Sequence, residues 1–513
     1  YMIEENKSSM KNSVRRLIIA GIGVLIQIIW VVVLVMRLNQ YSQIITLLTV
    51  AIELVLVLAV YSMDTNAAFK LPWIILITVA PIVGICVFFL FGRSGATKKV
   101  RARYRKIDQQ LFAYLNQDEQ IIDELSKKDE RLANDFKYLW KCASSPVYKN
   151  TDVKYYGDTC DAMAAQLEDM MQAKKFIFLE YHAIEMAESF QALRKVLMAK
   201  AREGVEIRIL YDDAGCIGFL NPRFIKYMES MGIQCRVFNP IMPVLNIFMN
   251  NRDHRKITVI DGKVAYTGGY NLADEYFNIT HPYGQWKDSG IRFEGDAVQT
   301  ATILFLEMWN ALREQDVDIE KYLPVYPYKA KEQGFFALYG DSPLDKEPAG
   351  ENVYMNLLRH AKKYIYFTTP YLILSDEMTR ELTGAAKRGV DVRIITPGIP
   401  DKKTIFQVTK SYYPQLLKHG VKIYEYTPGF MHEKQCICDG EIVVVGTINL
   451  DFRSLYLHFE NAALFCGYEA VSHVKEDFDA LFPICKDMSK EPSERTRRLR
   501  LSQLILRLFS PLM

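Results

Sequence analysis

One constellation of residues occurs twice in this chain at identical spacing. The stretch 253–271 reads DHRKITVIDGKVAYTGGYN, and the stretch 431–449 reads MHEKQCICDGEIVVVGTIN. The shared positions, which lie 178 residues apart, are His254, Lys256, Asp261, Gly268 and Asn271 in the first copy and His432, Lys434, Asp439, Gly446 and Asn449 in the second. A single copy could lie on a surface hairpin without any chemical role. Two intact copies with the same downstream Gly and Asn predict a shared chemical role.

The repeated residue types suit a reaction at a phosphodiester. Lys256 and Lys434 provide compact positive charges for phosphate oxygens, and the amides of Asn271 and Asn449 add neutral donors. Donors held in place can stabilise the charge that develops on the phosphoryl oxygens. One imidazole can attack phosphorus and hold it covalently, while the other protonates the leaving alkoxide and then deprotonates the incoming alcohol. Because Lys and Asn supply the positive field, the pattern predicts no metal and no other cofactor.

The strands that carry the motif decide which side chains can act together. Side chains alternate between the two faces of a strand, so His254 and Lys256 share one face, as do His432 and Lys434. The Asp-Gly steps that follow predict hairpins, and each hairpin returns its Asn toward the same region. Each copy of the motif is therefore expected to present an imidazole, an ammonium group and an amide together.

The acids near the motifs fall into two groups. Asp261 and Asp439 belong to the motif and count among the candidate catalytic residues. They lie an odd number of residues after the motif histidines, off the strand face that carries His and Lys, and this predicts turn and structural roles. Asp288 and Glu460 lie further along each half and are candidates for orienting the imidazoles, since an acid bonded to the remote ring nitrogen fixes the tautomer. The other six histidines are interpreted as surface residues or satisfied core residues, although His182 and His458 fall near the key segments of the repeat.

The repeat extends well beyond the motif. AKKFIFLEYHAI at 173–184 matches AKKYIYFTTPYL at 361–372, and the matching elements keep the same order in both halves. Helical patterns alternate with short β-branched and aromatic runs, which indicates α/β units. Two such halves related by a pseudo-twofold axis would bring equivalent edges together. We therefore expect one composite site that holds both copies of the motif.

Three apolar segments precede this repeat. Residues 17–36 and 71–92 contain no charge, and residues 41–61 contain only Glu53. Helices of this length can cross a bilayer, so the sequence predicts two or three membrane helices within residues 1–92. Basic residues between 93 and 106 favour a cytoplasmic location for everything that follows. Basic residues before the first segment favour the cytoplasmic side for the N-terminus as well, but three crossings would place these two regions on opposite sides. Whether two or three segments cross therefore stays open.

The chain thus divides into five predicted regions. They are the membrane region 1–92, a basic helical linker 93–140, the two α/β halves 141–330 and 331–495, and an amphipathic C-terminal helix 496–513. The last region places Leu501, Leu504, Ile505 and Leu508 on one stripe flanked by arginines, a pattern of helices that lie at a membrane surface or dock on the protein.

At the paired motifs the sequence resembles the phospholipase D superfamily and, within it, the bacterial cardiolipin synthases. The resemblance includes NRDHRKITVIDGKVAYTGGYNLADEY, WKDSGIRFEGDAV, AAKRGVDVRIITPG and VGTINLDFRSL, and it covers nearly the whole chain. It implies two duplicated phospholipase-D-like α/β halves in a multi-pass protein of the bacterial plasma membrane. It also implies that two phosphatidylglycerol molecules give cardiolipin and glycerol. The implied roles are nucleophile for His254, general acid and base for His432, and phosphate binding for Lys256, Lys434, Asn271 and Asn449.

Other functions would use the same residues. A lipid hydrolase or headgroup exchanger needs the same site, and a non-catalytic membrane scaffold is disfavoured by two intact motifs. A nucleic-acid partner is disfavoured by the apolar segments and a net charge of only +3. The expected partners are phosphatidylglycerol, cardiolipin and an anionic membrane, and the sequence leaves a homo-oligomer open. His458 departs from the resemblance, because relatives commonly carry Asn at this position.

Overall fold

The computed structural model describes residues 43–89, 98–220, 223–241, 250–313, 316, 318–325, 327–496 and 498–512, together with isolated positions between 22 and 36. The described residues therefore include only isolated positions of the predicted membrane segment 17–36. Residues 93–97 of the basic stretch lie outside the described residues. Within the described ranges, no helix combines the length and the apolar character that crossing a membrane requires.

The first described helices are α1 (Gln43–Tyr61), α2 (Ala67–Val79) and α3 (Pro81–Val87). The expectation that residues 71–92 form one continuous helix is wrong, because the helix is interrupted at Ala80. Pro81 has no backbone N–H and its ring clashes with a continuing helix, so α3 begins as a new helix at this residue. α3 packs closely on α2, since a Cβ atom at Gly84 would lie 2.6 Å from the Cα atom of Ile77.

Three more helices precede the first sheet: α4 (Lys98–Leu111), α5 (Glu119–Lys128) and α6 (Glu130–Ala143). Asp118 and Asp129 cap α5 and α6 by accepting backbone N–H groups of the first turns. Tyr104, Ile107 and Leu111 form the buried side of α4. The described part of the predicted linker is therefore largely helical and packs against the body of the protein.

Seven of the nine described strands of the first half form one sheet, and β5 and β8 pair with strands of the second half. The elements in chain order are β1 (Thr151–Tyr156), α7 (Thr159–Met171), β2 (Phe176–Tyr181), α8 (Glu188–Arg202), β3 (Glu206–Asp212), α9 (Asp213–Cys216), α10 (Phe224–Ser230), β4 (Gln234–Phe238), β5 (Arg252–Asp253), β6 (Lys256–Ile260), β7 (Val264–Gly268), β8 (Gln285–Lys287), β9 (Gly290–Gly295) and α11 (Val298–Leu312). The strand order is β1-β9-β7-β6-β2-β3-β4, and β2, β3 and β4 are parallel. β6 and β7 form the hairpin that the first Asp-Gly step predicts.

The second half repeats this arrangement. Its elements are β10 (Phe335–Asp341), α12 (Ala349–His360), β11 (Tyr364–Thr368), α13 (Asp376–Lys387), β12 (Asp391–Pro397), α14 (Lys403–Lys418), β13 (Lys422–Tyr426), β14 (Gly429–Met431), β15 (Gln435–Cys438), β16 (Ile442–Gly446), α15 (Phe452–Tyr456), β17 (His458–Cys466), α16 (Glu469–Leu481) and β18 (Cys485–Asp487). The strand order is β10-β17-β16-β15-β11-β12-β13-β18. Apart from β18, each strand has a counterpart at the same place in the first sheet, which confirms the predicted duplicated α/β halves.

The two sheets share one core. Successive side chains of a strand point to opposite faces, so Phe178 of β2 enters the shared core while Ile177 and Leu179 pack on the outer side. The second sheet contributes Val445 and Phe465 to the same core. α11 is buried along almost its whole length and contacts strands of both sheets. Residues from the two halves therefore meet across one interior, where strand ends can build a common site.

The described chain ends with α17 (Pro492–Thr496) and α18 (Leu501–Phe509). α18 is docked on α14, because buried Gln503 donates to an α14 carbonyl oxygen and Arg507 stacks over an α14 tyrosine ring at 4.0 Å. Leu501, Leu504 and Ile505 are exposed, and α18 also contacts α2. The predicted amphipathic helix therefore lies on the protein with apolar side chains facing outward.

Candidate active site

Both motif histidines lie where the two halves pair short strands with each other. β5 pairs in parallel with the start of β17, and the backbone N–H of His254 donates to the carbonyl oxygen of Phe459 at 2.9 Å. β8 pairs with β14, and the backbone N–H of His432 donates to the carbonyl oxygen of Lys287 at 2.8 Å. The backbone of each motif histidine is therefore held by the opposite half.

The predicted orienting acids also come from the opposite half. Nδ1 of His254 lies 2.9 Å from Oε2 of Glu460, and Nδ1 of His432 lies 2.5 Å from Oδ2 of Asp288. Both carboxylates are fully buried, and Glu460 also accepts the hydroxyl of Thr447. When the acid is ionised, Nδ1 carries the ring proton and donates it. Nε2 of each imidazole is then left with its lone pair.

The two lysines lie beside the histidines of their own motifs. Nζ of Lys256 donates to the carbonyl oxygen of His254 at 2.7 Å, and Nζ of Lys434 lies 2.8 Å from Nδ1 of His432. Burial lowers the pKa of Lys256 to about 8 and the pKa of Lys434 to about 7, although nearby buried acids oppose this effect. An ammonium group in such a poorly solvated place interacts strongly with a bound anion.

The charges of both motifs act on both imidazoles. Burial, followed by the charges of Lys256 and Lys434, lowers the pKa of His254 well below its usual value, and His432 adds to this effect. Burial, Lys434 and Lys256 lower the pKa of His432 in the same way. The structure thus brings the two histidines and two lysines into one electrostatic site. Both imidazoles are neutral at neutral pH when no anion is bound.

The two asparagines differ in how their amides are used. Asn271 accepts a backbone N–H and donates to the hydroxyl of Tyr276 at 2.8 Å, and the ring of Tyr276 lies 5.2 Å from that of His432. Asn449 donates over a longer distance, 3.4 Å, to Asp451. The side-chain oxygen of Asn449 is buried and has no partner among the described residues. Asn449 therefore keeps an acceptor oxygen that a hydroxyl group of a substrate could pair with.

Asp261 and Asp439 serve the backbone rather than the imidazoles. They occupy left-handed turn positions, with φ angles of 53° and 54°. Each carboxylate accepts three consecutive backbone N–H groups that lead into β2 or β11. These contacts correct their place among the candidate catalytic residues and agree with the turn and structural roles that their positions predict. Asp suits this role because it tolerates left-handed backbone and offers two acceptor oxygens.

Sequence reasoning missed two histidines beside His254. The ring of His182 lies 5.0 Å from that of His254, and its Nδ1 lies 2.7 Å from a backbone carbonyl oxygen. The ring of His458 lies 5.5 Å from that of His254. Nε2 of His458 accepts from Arg453 at 3.2 Å, and its Nδ1 faces Oε1 of Glu460 at 3.6 Å. The position of His458 two residues before an orienting acid was the available signal.

The surroundings of His432 are aromatic instead. The ring centroids of Tyr276, Trp286 and Phe430 lie 5.2, 5.0 and 5.8 Å from that of His432. Trp286 lies two residues before Asp288, the acid that orients His432. In the other half, His458 lies two residues before Glu460. Two imidazoles with equivalent motif partners therefore have different neighbours, which can separate their tasks.

One group of described side chains has atoms close enough to hold a metal ion. Ligand atoms of His254, His458 and Glu460 all lie within 4.8 Å of one another. However, Nδ1 of His254 and Oε2 of Glu460 already bind each other, and the buried ammonium groups of Lys256 and Lys434 oppose another cation nearby. The cluster is therefore better suited to hydrogen bonding than to metal ligation.

The duplicated α/β fold, with two His-x-Lys motifs in one buried site, defines the phospholipase D superfamily. The family profile for the cardiolipin synthase, PLD-like domain matches residues 167–309 and 354–482, more than half of the chain. The chain belongs to the cardiolipin synthase family of this superfamily, a family of phosphatidyltransferases.

Relatives extend this similarity along most of the chain. An uncharacterized protein of Streptococcus mutans is 39% identical over 460 residues, which cover 90% of this chain and 99% of that protein. A cardiolipin synthase of Halalkalibacterium halodurans is 32% identical over 442 residues, 86% of this chain and 87% of that protein. Cardiolipin synthase 2 of Bacillus anthracis is 30% identical over 452 residues, 86% of each chain.

A solved structure shares the fold. The crystal structure of phosphatidylserine synthase from Haemophilus influenzae aligns with a TM-score of 0.53 and 13% sequence identity. The alignment covers 70% of this chain and 93% of that protein. At this identity the likeness concerns the architecture alone.

Proposed function

We propose that the protein is a membrane-bound phosphatidyltransferase that joins two phosphatidylglycerol molecules into cardiolipin and releases glycerol. The observation that carries this proposal is the composite site, in which each imidazole pairs with an acid of the opposite half beside a buried lysine. The curated relatives of Halalkalibacterium halodurans and Bacillus anthracis, which are named cardiolipin synthases, support the choice of reaction.

In the first step, Nε2 of His254 attacks the phosphorus atom of one phosphatidylglycerol. The N–P bond forms as the bond between phosphorus and the glycerol oxygen breaks, and His432 donates a proton to that oxygen. Glu460 keeps the ring proton of His254 on Nδ1, so that the attacking lone pair is on Nε2. Lys256 and Lys434 stabilise the charge on the nonbridging oxygens.

Substrate binding allows His432 to take up from solvent the proton that it needs. In the free protein, burial and the two motif lysines keep the pKa of His432 low. A phosphodiester anion between these lysines offsets their charge, and Asp288 stabilises the imidazolium that results. We expect the protein to take up a proton when it binds the lipid.

In the second step, a hydroxyl group of another phosphatidylglycerol attacks the phosphorus atom of the phosphatidyl-histidine. His432, which is neutral after the first step, takes the hydroxyl proton. The new P–O bond forms, the N–P bond breaks, and His254 returns as a neutral imidazole. Water in place of the lipid hydroxyl would give phosphatidic acid. The aromatic rings around His432 limit the space for water and so favour transfer.

Exposed apolar side chains support contact with a membrane. Leu54 and Val55 of α1 are exposed, and α18, with its outward apolar side chains, contacts α2. Phe69 of α2 packs edge-to-face on Tyr456 of α15, and β17, which carries Glu460, follows that helix. We infer that this surface rests on the cytoplasmic face of the bacterial plasma membrane and brings lipid headgroups to the site.

Product analysis tests this proposal. Purified protein is incubated with phosphatidylglycerol bilayers, and the lipids and released glycerol are quantified. The expected result is cardiolipin and glycerol in equal amounts, with neither product from His254→Ala. Phosphatidic acid as the sole lipid product would contradict transfer and indicate a hydrolase.

A further inference from the structure

Three polar residues near His432 have no role in the two steps above. Tyr371 follows β11, while Asp401 and Lys402 lie between β12 and α14. Since β11 and β12 are neighbouring parallel strands, these residues come from the carboxyl ends of adjacent strands. This edge of an α/β sheet is where ligands commonly bind.

Lys402 combines exposure to solvent with influence on both motif imidazoles. Its side chain is 64% exposed, and Nζ lies 3.4 Å from the hydroxyl of Tyr371 and 3.6 Å from Oδ2 of Asp401. Burial and the motif lysines lower the pKa of His254 and His432 most, and the charge of Lys402 lowers both further. Lys402 therefore provides a cation near the reacting centre that an incoming headgroup can reach.

Asp401 presents a buried acceptor atom that lacks a donor. Its Oδ2 accepts the hydroxyl of Tyr371 at 2.6 Å. Its Oδ1 is buried and has no hydrogen-bond partner among the described residues. An unpaired buried carboxylate oxygen is costly, so a donor supplied by a ligand would stabilise it. A hydroxyl group of a polyol is a donor of this kind.

Ring contacts place the cluster on the His432 side of the site. The ring of Tyr371 lies 6.4 Å from that of Phe430, which lies 5.8 Å from that of His432. In the proposed reaction, His432 takes the proton of the acceptor hydroxyl. An acceptor bound at this cluster would therefore lie on the side of the imidazole that must deprotonate it.

We propose that Tyr371, Asp401 and Lys402 bind the headgroup of the acceptor lipid, with Lys402 on its phosphodiester and Asp401 on a glycerol hydroxyl. This inference rests on the proposed transfer function and adds the acceptor's binding site to it. The buried motif lysines hold the donor phosphate, so the second phosphate, brought by the acceptor, needs a cation of its own. Water and free glycerol bring no phosphate, and Lys402 therefore favours the phospholipid over both.

The test measures how the phosphatidyl group divides among three acceptors. Protein is incubated with phosphatidylglycerol vesicles and labelled free glycerol, and cardiolipin, phosphatidic acid and labelled phosphatidylglycerol are quantified. Lys402→Met should lower the ratio of cardiolipin to phosphatidic acid about five- to tenfold, while the ratio of labelled phosphatidylglycerol to phosphatidic acid stays unchanged. Asp401→Asn should lower both ratios, because both alcohols carry glycerol hydroxyls.

Two substitutions serve as controls. Lys403→Met removes the neighbouring exposed charge and should leave both ratios unchanged, whereas Lys402→Arg keeps the charge and should retain most of the cardiolipin. A wild-type ratio in Lys402→Met would overturn the inference. Equal losses in Lys403→Met would also overturn it, since they would reflect general attraction to the membrane. If wild-type protein forms no cardiolipin at all, the proposed function itself fails, so the two failures are told apart.

Discussion

Replacing Glu460 by Gln tests the negative charge beside His254 with little change in shape. The buried carboxylate accepts Nδ1–H of His254 at 2.9 Å and the hydroxyl of Thr447 with the same oxygen, Oε2. A Gln side chain whose amide oxygen takes this place would keep both hydrogen bonds and lose only the negative charge. His254 becomes a cation when Nε2 bonds to phosphorus, and a neutral amide stabilises that cation less than a carboxylate does.

The expected loss in kcat follows from this charge. A hydrogen bond to a charged group contributes about 1.5–3 kcal/mol, so we expect a loss of about 10–100-fold for Glu460→Gln. Loss of a buried charge-assisted hydrogen bond should also lower the free energy of unfolding by about 1.5–3 kcal/mol. Thr447→Val is the matched control, because it removes the other donor and leaves the carboxylate to orient His254.

The assay compares glycerol release with the amount of covalent lipid adduct in quenched samples. Glu460→Gln should lower both by about 10–100-fold, whereas Thr447→Val should retain activity within about tenfold of wild type, since the carboxylate and its charge stay beside His254. Folding of each variant is checked by thermal unfolding. A folded Glu460→Gln protein that turns over within tenfold of wild type would refute the role assigned to the Glu460–His254 pair.

Six other perturbations have defined outcomes. His254→Ala should abolish product and adduct, whereas His432→Ala should slow both transfer steps by about 10²–10⁴-fold, and rapid-quench labelling separates the steps. The profile of kcat/KM should fall as the pH rises through about 7 to 8, because Lys434 and Lys256, whose pKa values burial lowers to about 7 and about 8, lose their charges there. Lys434→Arg should move this decline to higher pH, and an unmoved decline would contradict the assignment. Exhaustive chelation should leave turnover unchanged when the bilayer itself is unaffected, and recovery with one divalent ion alone would show that a metal is required. Deleting residues 496–513 should lower activity on bilayers more than on a soluble short-chain substrate, and equal losses would argue against membrane contact through α18.

The duplicated sheets and the motif hairpins could be predicted because they depend on local patterns. Asp-Gly turns, alternating side chains and the order of matching segments are all visible in the sequence. Asp288 and Glu460 could be named as candidate acids for the same reason. That each acid binds the motif histidine of the opposite half could not be predicted. This arrangement depends on β5 and β8, which are strands of two and three residues. Strands this short have no usable periodicity.

Other differences have separate physical causes. The break in residues 71–92 had a signal in Pro81, but the uninterrupted apolar composition favoured one long helix. His182 is a single residue without a spacing pattern, and only the position of His458 two residues before Glu460 connected it with the site. The fold brings both rings to His254. Asp401 is likewise a single acid in a loop, and only the structure shows its unpaired buried oxygen.

Identifying the residue that carries the lipid phosphate would test the composite site most directly. Protein is quenched during turnover on phosphatidylglycerol, digested under conditions that preserve N–P bonds, and mapped by mass spectrometry. The two-step reaction predicts a phosphatidyl adduct on Nε2 of His254 in wild-type protein and no histidine adduct in His254→Ala. An adduct on His432 in protein that retains His254, or turnover to cardiolipin without any histidine adduct, would contradict it.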